Sequence, residues 1–155
     1  MSNGYNFYMQ RYPYKNVAYH QEDIEEIYTC QYCKFSDFFT PGQTKNIYTE
    51  SFAEEDGIRV YSPENGNVTH DSYECQLVLN FIGDDCLKNL EQFIDNYMGR
   101  KIEYYDTFRK KYASLIMQKE PKVSDERLYS DRKYVHVEFT FTNFLGKVYN
   151  ESLIE

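Results

Sequence analysis

Polar and apolar positions alternate most cleanly over residues 73–81. Tyr73, Cys75, Leu77, Leu79 and Phe81 share one side, and Glu74, Gln76, Val78 and Asn80 the other. A period of two predicts a strand buried on one face. The strand stops at Gly83, and Asp84 is placed to cap the N-terminus of a helix. Over 85–98 the period changes. Cys86, Leu87, Leu90, Phe93, Ile94, Tyr97 and Met98 fall on one stripe, with Lys88, Asn89, Glu91, Gln92, Asp95 and Asn96 outside it. Gly99 suits the first residue past a helix end, and Arg100 and Lys101 lie where the helix dipole favours cations. The pattern predicts one amphipathic helix, at about 84–98.

After the helix, 101–106 and 112–119 read as strands around the polar turn 107–111, and Pro121 ends the second. Residues 123–131 read as a charged connection. The last strand, 134–144, turns Val135, Val137, Phe139 and Phe141 one way and Tyr134, His136, Glu138, Thr140 and Thr142 the other. A lone amphipathic helix has to bury its stripe on the sheet. Leu87, Leu90, Phe93, Ile94 and Tyr97 are therefore predicted to pack on Cys75, Leu77, Leu79, Val137, Phe139 and Phe141.

The amino-terminal part is less regular, with strands predicted at 5–9, 27–35 and 58–61. Between the last two, 37–57 has no clean period and holds Pro41-Gly42 and Glu54-Glu55-Asp56-Gly57. Connections that long are commonly mobile or used for binding. This one carries Phe38, Phe39, Tyr48 and Phe52, which predicts an arm that reaches a neighbouring subunit or a stacked ring. The whole reads as a single α+β domain, with an irregular part at 1–57 and a core at 58–145.

Composition narrows the function classes. The chain has 155 residues and a net charge of −8, which argues against broad contact with nucleic-acid phosphates. Its 17 Tyr and 11 Phe are too many aromatics for a disordered chain. The longest nearly apolar run, 77–82, falls far short of a membrane span. Residues 1–10 have neither a basic nor an apolar region, which predicts no export and reduced cysteines.

Cys30-x-x-Cys33 has metal-ligand spacing, but strand alternation sets the two thiols on opposite faces. Only Cys75, Cys86, His20 and His70 could complete a site, and no second close pair exists, so no metal is predicted. Gly83-Asp84-Asp85 is read as a helix start, and His20, His70 and His136 as surface residues amid carboxylates. Phosphate-binding loops and Gly-x-Ser-x-Gly are missing. No catalytic residue and no cofactor are predicted. Tyr12-Pro13-Tyr14, Tyr104-Tyr105, Tyr112, Tyr134 and Tyr149 exceed what one helix-on-sheet core can bury. They either line a wet sheet face or serve subunit contacts.

From Tyr73 onward the order of segments resembles small tail and distal-tail-like proteins of bacteriophages. The likeness rests on Tyr73-Glu74-Cys75-Gln76-Leu77-Val78-Leu79-Asn80-Phe81, on Ile82-Gly83-Asp84-Asp85, and on Asn89-Leu90-Glu91-Gln92-Phe93-Ile94-Asp95-Asn96-Tyr97-Met98-Gly99. Tyr104-Tyr105-Asp106-Thr107, residues 135–143 and the acidic lead-in 51–63 extend it. It covers roughly 51–143, and nothing in 1–50 takes part. The resemblance implies a mainly antiparallel β-sandwich or rolled sheet flanked by one helix. It also implies a virion subunit, made in the host cytoplasm, that forms rings of six or twelve copies in the tail or neck. Its partners would be itself and adjacent virion proteins, without sequence-specific nucleic acid or membrane. Candidate interface residues are Phe38, Phe39, Tyr48, Phe52, Tyr104, Tyr105 and Tyr134. The competing classes are a stand-alone ligand-binding or enzymatic α+β domain and a host-directed regulatory phage protein.

Overall fold

The structure is a computed structural model that describes residues 7–39, 44–45, 48–50, 59–61, 69–129 and 131–154. In chain order the elements are β1 (Phe7–Arg11), β2 (Glu22–Asp23), α1 (Ile24–Ile27), β3 (Cys30–Ser36), β4 (Thr44–Lys45), β5 (Tyr48–Glu50), β6 (Arg59–Tyr61) and β7 (Thr69–His70). They continue with β8 (Tyr73–Ile82), α2 (Cys86–Tyr97), β9 (Lys101–Asp106), β10 (Lys111–Ile116), β11 (Lys122–Arg127) and β12 (Tyr134–Tyr149). The fold is α+β, built on one antiparallel sheet in the order β2-β1-β9-β10-β12-β8-β3, with β11 beside β12. Two small pairs, β4 with β7 and β5 with β6, form ladders of their own that are not hydrogen-bonded into it.

Alternation decides which face of each strand is buried. Cys75, Leu77, Leu79 and Phe81 of β8 join Val135, Val137, Phe139 and Phe141 of β12 on the inner face. From the other end of the sheet come Phe7, Met9, Ile102, Tyr104, Ala113 and Leu115. The two ends meet over this core. Phe35 of β3 lies edge-on to Tyr104 of β9 with ring centres 4.9 Å apart, and Phe7 of β1 is 5.8 Å from Tyr32. The described residues therefore form one open sheet that curls over its own aromatics, and a second sandwich layer is not among them.

Helix α2 closes the remaining gap. Cys86, Leu90, Phe93 and Tyr97 are buried, and Phe93 sits 5.0 Å from Phe139 and 6.1 Å from Phe81. Ile94 is partly buried against the same core, whereas Leu87, predicted to join the stripe, is 41% exposed. Leu87 lies one position beyond Cys86, at the rim of the buried arc. The cap also differs from expectation. Asp85 holds the N-cap position without a side-chain bond, and Asp84 lies outside the helix, 3.7 Å from Lys133. Gly83, at φ +98, makes the turn, its amide donating to the Lys133 carbonyl. Gly99 takes φ +75 just past the helix, as its position predicts.

Three expectations fail for physical reasons. The strand predicted at 27–35 starts later, because α1 occupies Ile24–Ile27 with Asp23 accepting from the Glu26 amide. The charged connection predicted at 123–131 is largely the strand β11. All six of its residues are exposed, so it carries no alternation and is held by backbone pairing to β12. The last strand runs on to Tyr149. Its pattern breaks at Asn143, which faces inward and bonds Tyr73, the Lys147 carbonyl and the Gly146 amide.

Replacing Leu90, 6% exposed, by Ala is predicted to cost about 2–5 kcal/mol in urea unfolding, the range for buried leucines. Leu87→Ala should stay within about 0.5 kcal/mol, as surface changes do.

Candidate functional site

The outer face of the same strands carries a row of tyrosines. Because Phe7, Tyr104 and Ala113 point inward, their neighbours Tyr8, Tyr105 and Tyr112 point outward. Strand register then places Tyr8 opposite Tyr105, Tyr105 opposite Tyr112, and Tyr112 opposite Tyr149. The ring centres are 6.5, 4.5 and 6.0 Å apart in that order, and the last pair is inclined by only 7°. All four residues are half-buried. Cross-strand aromatic pairs of this kind contribute about 0.2–1 kcal/mol each, and their open faces remain available to a partner.

Beside this row a chain of hydroxyls leads to a buried carboxylate. Tyr12 and Ser114 share a hydrogen bond of 2.6 Å, and Ser114 and Tyr149 one of 2.5 Å. The Tyr149 hydroxyl donates to Glu103 at 2.9 Å. Glu103, 3% exposed, also accepts from the Ser152 hydroxyl at 2.6 Å and the Leu153 amide at 2.8 Å. It thereby ties residues 152–153 across the sheet. Burial first, and the nearby Glu103 charge with it, push the Tyr149 phenol well up, against the opposing bond from Ser114. A phenol held neutral serves as a donor and not as a base, in keeping with the bond it gives to Glu103.

The hairpin between β9 and β10 is tied the same way. The buried Asp106 accepts from the amides of Phe108 and Arg109 at 2.9 Å each and from the Tyr104 hydroxyl. Arg109 pairs with Asp106, donates to the Tyr32 hydroxyl and lies over the Phe38 ring at 4.8 Å.

The candidate interface residues separate. Tyr105 belongs to the outer row, and Phe39 is 54% exposed beside Phe38. Phe38 and Tyr104, predicted at a subunit contact, are instead 3% and 0% exposed, with ring centres 5.6 Å apart in the core. Alternation in β9 turns Tyr104 inward, and the turn after β3, with Asp37 at φ 62, folds Phe38 back onto Phe35. Tyr134 lies on another part of the sheet, its hydroxyl donating to Asp125 and Arg127 over its ring. Tyr48 starts β5, which pairs with β6 of the same chain, and Phe52 lies outside the described residues. So does most of the predicted arm 37–57. Its described strands, β4 and β5, both pair within the chain.

Cys30 and Cys33 do not converge. A bulge between Tyr32 and Lys34 leaves Cys33 exposed, while Cys30 is buried and donates to the Ile24 carbonyl. Among the described residues no three His, Cys, Asp or Glu side chains gather as a metal ion would need. No helix among them is long and apolar enough to cross a membrane. Sequence reasoning missed Glu103 and Ser114, which alternation sets on the outer face and which residues far along the chain bury. No protein-family model matches the chain, and no curated protein matches it either.

Removing the Glu103 carboxylate strands three donors. Glu103→Ala is predicted to cost about 1–3 kcal/mol and to speed hydrogen exchange at the Leu153 amide, leaving the amides of α2 protected. A second prediction concerns alkaline pH. Burial, and then Cys75, push the Tyr73 phenol from 10.0 up to about 12, against the bond from Asn143. Tyr97 and Tyr149 shift the same way. A phenol that holds its proton more tightly when folded stabilises fully below its unfolded value. Burial raises the Cys30 and Cys75 thiols from 9.0 in the same way. The urea midpoint should therefore begin to fall near pH 9 and fall more steeply from pH 10 toward about 12. Tyrosinate absorbance should show these phenols titrating late or only on unfolding.

Proposed function

We propose that this chain is a structural subunit of a bacteriophage virion. It would form a ring in the tail or neck through contacts with its own copies and with adjacent virion proteins, and would catalyse no reaction. The observation that carries the reading is the outer row Tyr8–Tyr105–Tyr112–Tyr149, aligned across four strands with its ring faces half-open. Tyrosine joins a large contact area to a polar tip and loses little side-chain entropy on being covered, which suits subunit contacts. The segment likeness at 51–143 supplies the ring, of six or twelve copies, and the rolled or sandwiched sheet as its framework. A net charge of −8 also suits a conduit through which DNA passes without adhering. Phe39 and Tyr134 are the remaining surface candidates of the contact.

Light scattering behind size exclusion tests this on the full chain. A closed oligomer of defined mass is expected, and Tyr105→Ala with Tyr112→Ala should shift it toward monomer while circular dichroism stays unchanged. A strict monomer at the highest soluble concentration, or a double variant that assembles normally, would count against the tyrosine contact.

A further inference from the structure

One cavity breaks the acidic character of the molecule. It holds about 540 Å³ between the end of β1, the turn that follows, and the start of β9, lined chiefly by Arg11, Tyr12, Tyr14, Tyr19, Arg100 and Lys101. Three cations line it and, among the described residues, no carboxylate does, in a chain whose net charge is −8. The volume lies within the roughly 300–1,000 Å³ of small-molecule sites.

Its walls are held by the fold. Tyr14 and Val17 exchange backbone hydrogen bonds of 3.0 and 2.9 Å and close the turn, with Lys15 at φ 54. The Tyr12 amide donates to the Lys101 carbonyl, and the Tyr12 hydroxyl is fixed by Ser114. The Gly99 amide donates to the Met117 carbonyl. Arg11 stacks on Tyr19 with its guanidinium carbon 4.2 Å from the ring centre. Its ion pair with Glu22 is long, at 3.7 Å, and Glu22 is itself bonded by the Tyr97 hydroxyl. Among the described residues the Arg11 Nε–H has no acceptor, and Arg100 and Lys101 have no ion pair. The helix dipole accounts for cations after α2, but Arg11 comes from a different strand. Opposite Ile102 and over the Tyr97 ring, it lines the strand end from the inner face. The Lys101 ammonium lies on the outer face, 5.5 Å from the Phe144 ring centre.

We propose that this cavity binds a small phosphate monoester joined to a flat ring, a ligand of nucleoside monophosphate size. The charges favour it. A monocarboxylate would answer one cation, whereas a phosphate monoester brings about −1.5 to −2 charges near neutral pH and three strong acceptor oxygens. Arginine suits phosphate through its forked donors and lysine as a point charge. The ring of Tyr14, 67% exposed, offers a stacking surface, and rings stack on aromatics whatever their hydrogen-bonding edge. The acidic remainder of the surface repels a long polyanion, which selects the short ligand over a nucleic-acid strand. This inference does not depend on ring assembly.

Isothermal titration of the full chain with AMP as the probe tests it, beside adenosine, inorganic phosphate and a single-stranded oligonucleotide. Saturable one-site binding of AMP is expected, tighter than that of adenosine or inorganic phosphate. Arg100→Glu with Lys101→Glu, both exposed positions, should weaken AMP by about tenfold or more, the scale of losing charge-assisted bonds. Tyr14→Ala should weaken AMP and leave inorganic phosphate unchanged. No heat with millimolar AMP, or AMP affinity indifferent to both variants, would overturn the proposal. Phosphate binding as tightly as AMP would remove the ring from it, and an oligonucleotide binding more tightly than AMP would replace it with a polyanion surface.

Discussion

Strand β12 hydrogen-bonds three partners, and the curl of the sheet, the seat of α2 and the outer tyrosine row all follow from that. Its first part pairs with β8 on one side and β11 on the other, and its last part pairs with β10. Sixteen residues of strand also accumulate a right-handed twist, so the two ends of the sheet cannot remain coplanar. The strands at those ends swing toward each other, and their aromatics supply the filling. Phe7, Phe35, Phe38 and Tyr104 meet there, and each fully buried ring returns on the order of 1.5–3 kcal/mol. Helix α2 then has a curved floor in which Phe93 lodges against Phe81 and Phe139.

The elements legible in the sequence are those whose two faces meet different surroundings. Strand β8 and helix α2 each turn one side to the core and the other to more polar surroundings, so their periods are clean, although Val78 on the outer side of β8 is buried too. Strand β11 meets water on both faces and shows none. Helix α1, four residues long, is too short for a period to develop, although Asp23 and Glu26 mark its start. In β12 the inward Asn143 interrupts the apolar run, and its role as a hinge of hydrogen bonds appears only once Tyr73 and Gly146 are placed around it.

The site was legible in its composition and not in its geometry. Excess tyrosine could be counted, but which rings align depends on register across four strands. Tyr104 and Tyr105 illustrate this, since adjacent tyrosines end on opposite faces. Glu103 was hidden because the groups that bury it, Tyr149, Ser152 and Leu153, come from 46 to 50 residues further along the chain. The cavity that Arg11, Arg100 and Lys101 line is equally long-range in its making.

The bulge in β3 has a bearing on how the chain behaves when crowded. Among the described residues β3 pairs only with β8, so its other edge is a potential template for a further strand. The bulge between Tyr32 and Lys34 interrupts the ladder, and the Tyr32 amide is already taken by the Glu25 carboxylate. An incoming strand would find a kinked rim with a lysine on it and one donor withdrawn, a poor seed for fibre growth. Polymerisation by endless strand addition is thereby discouraged at this edge.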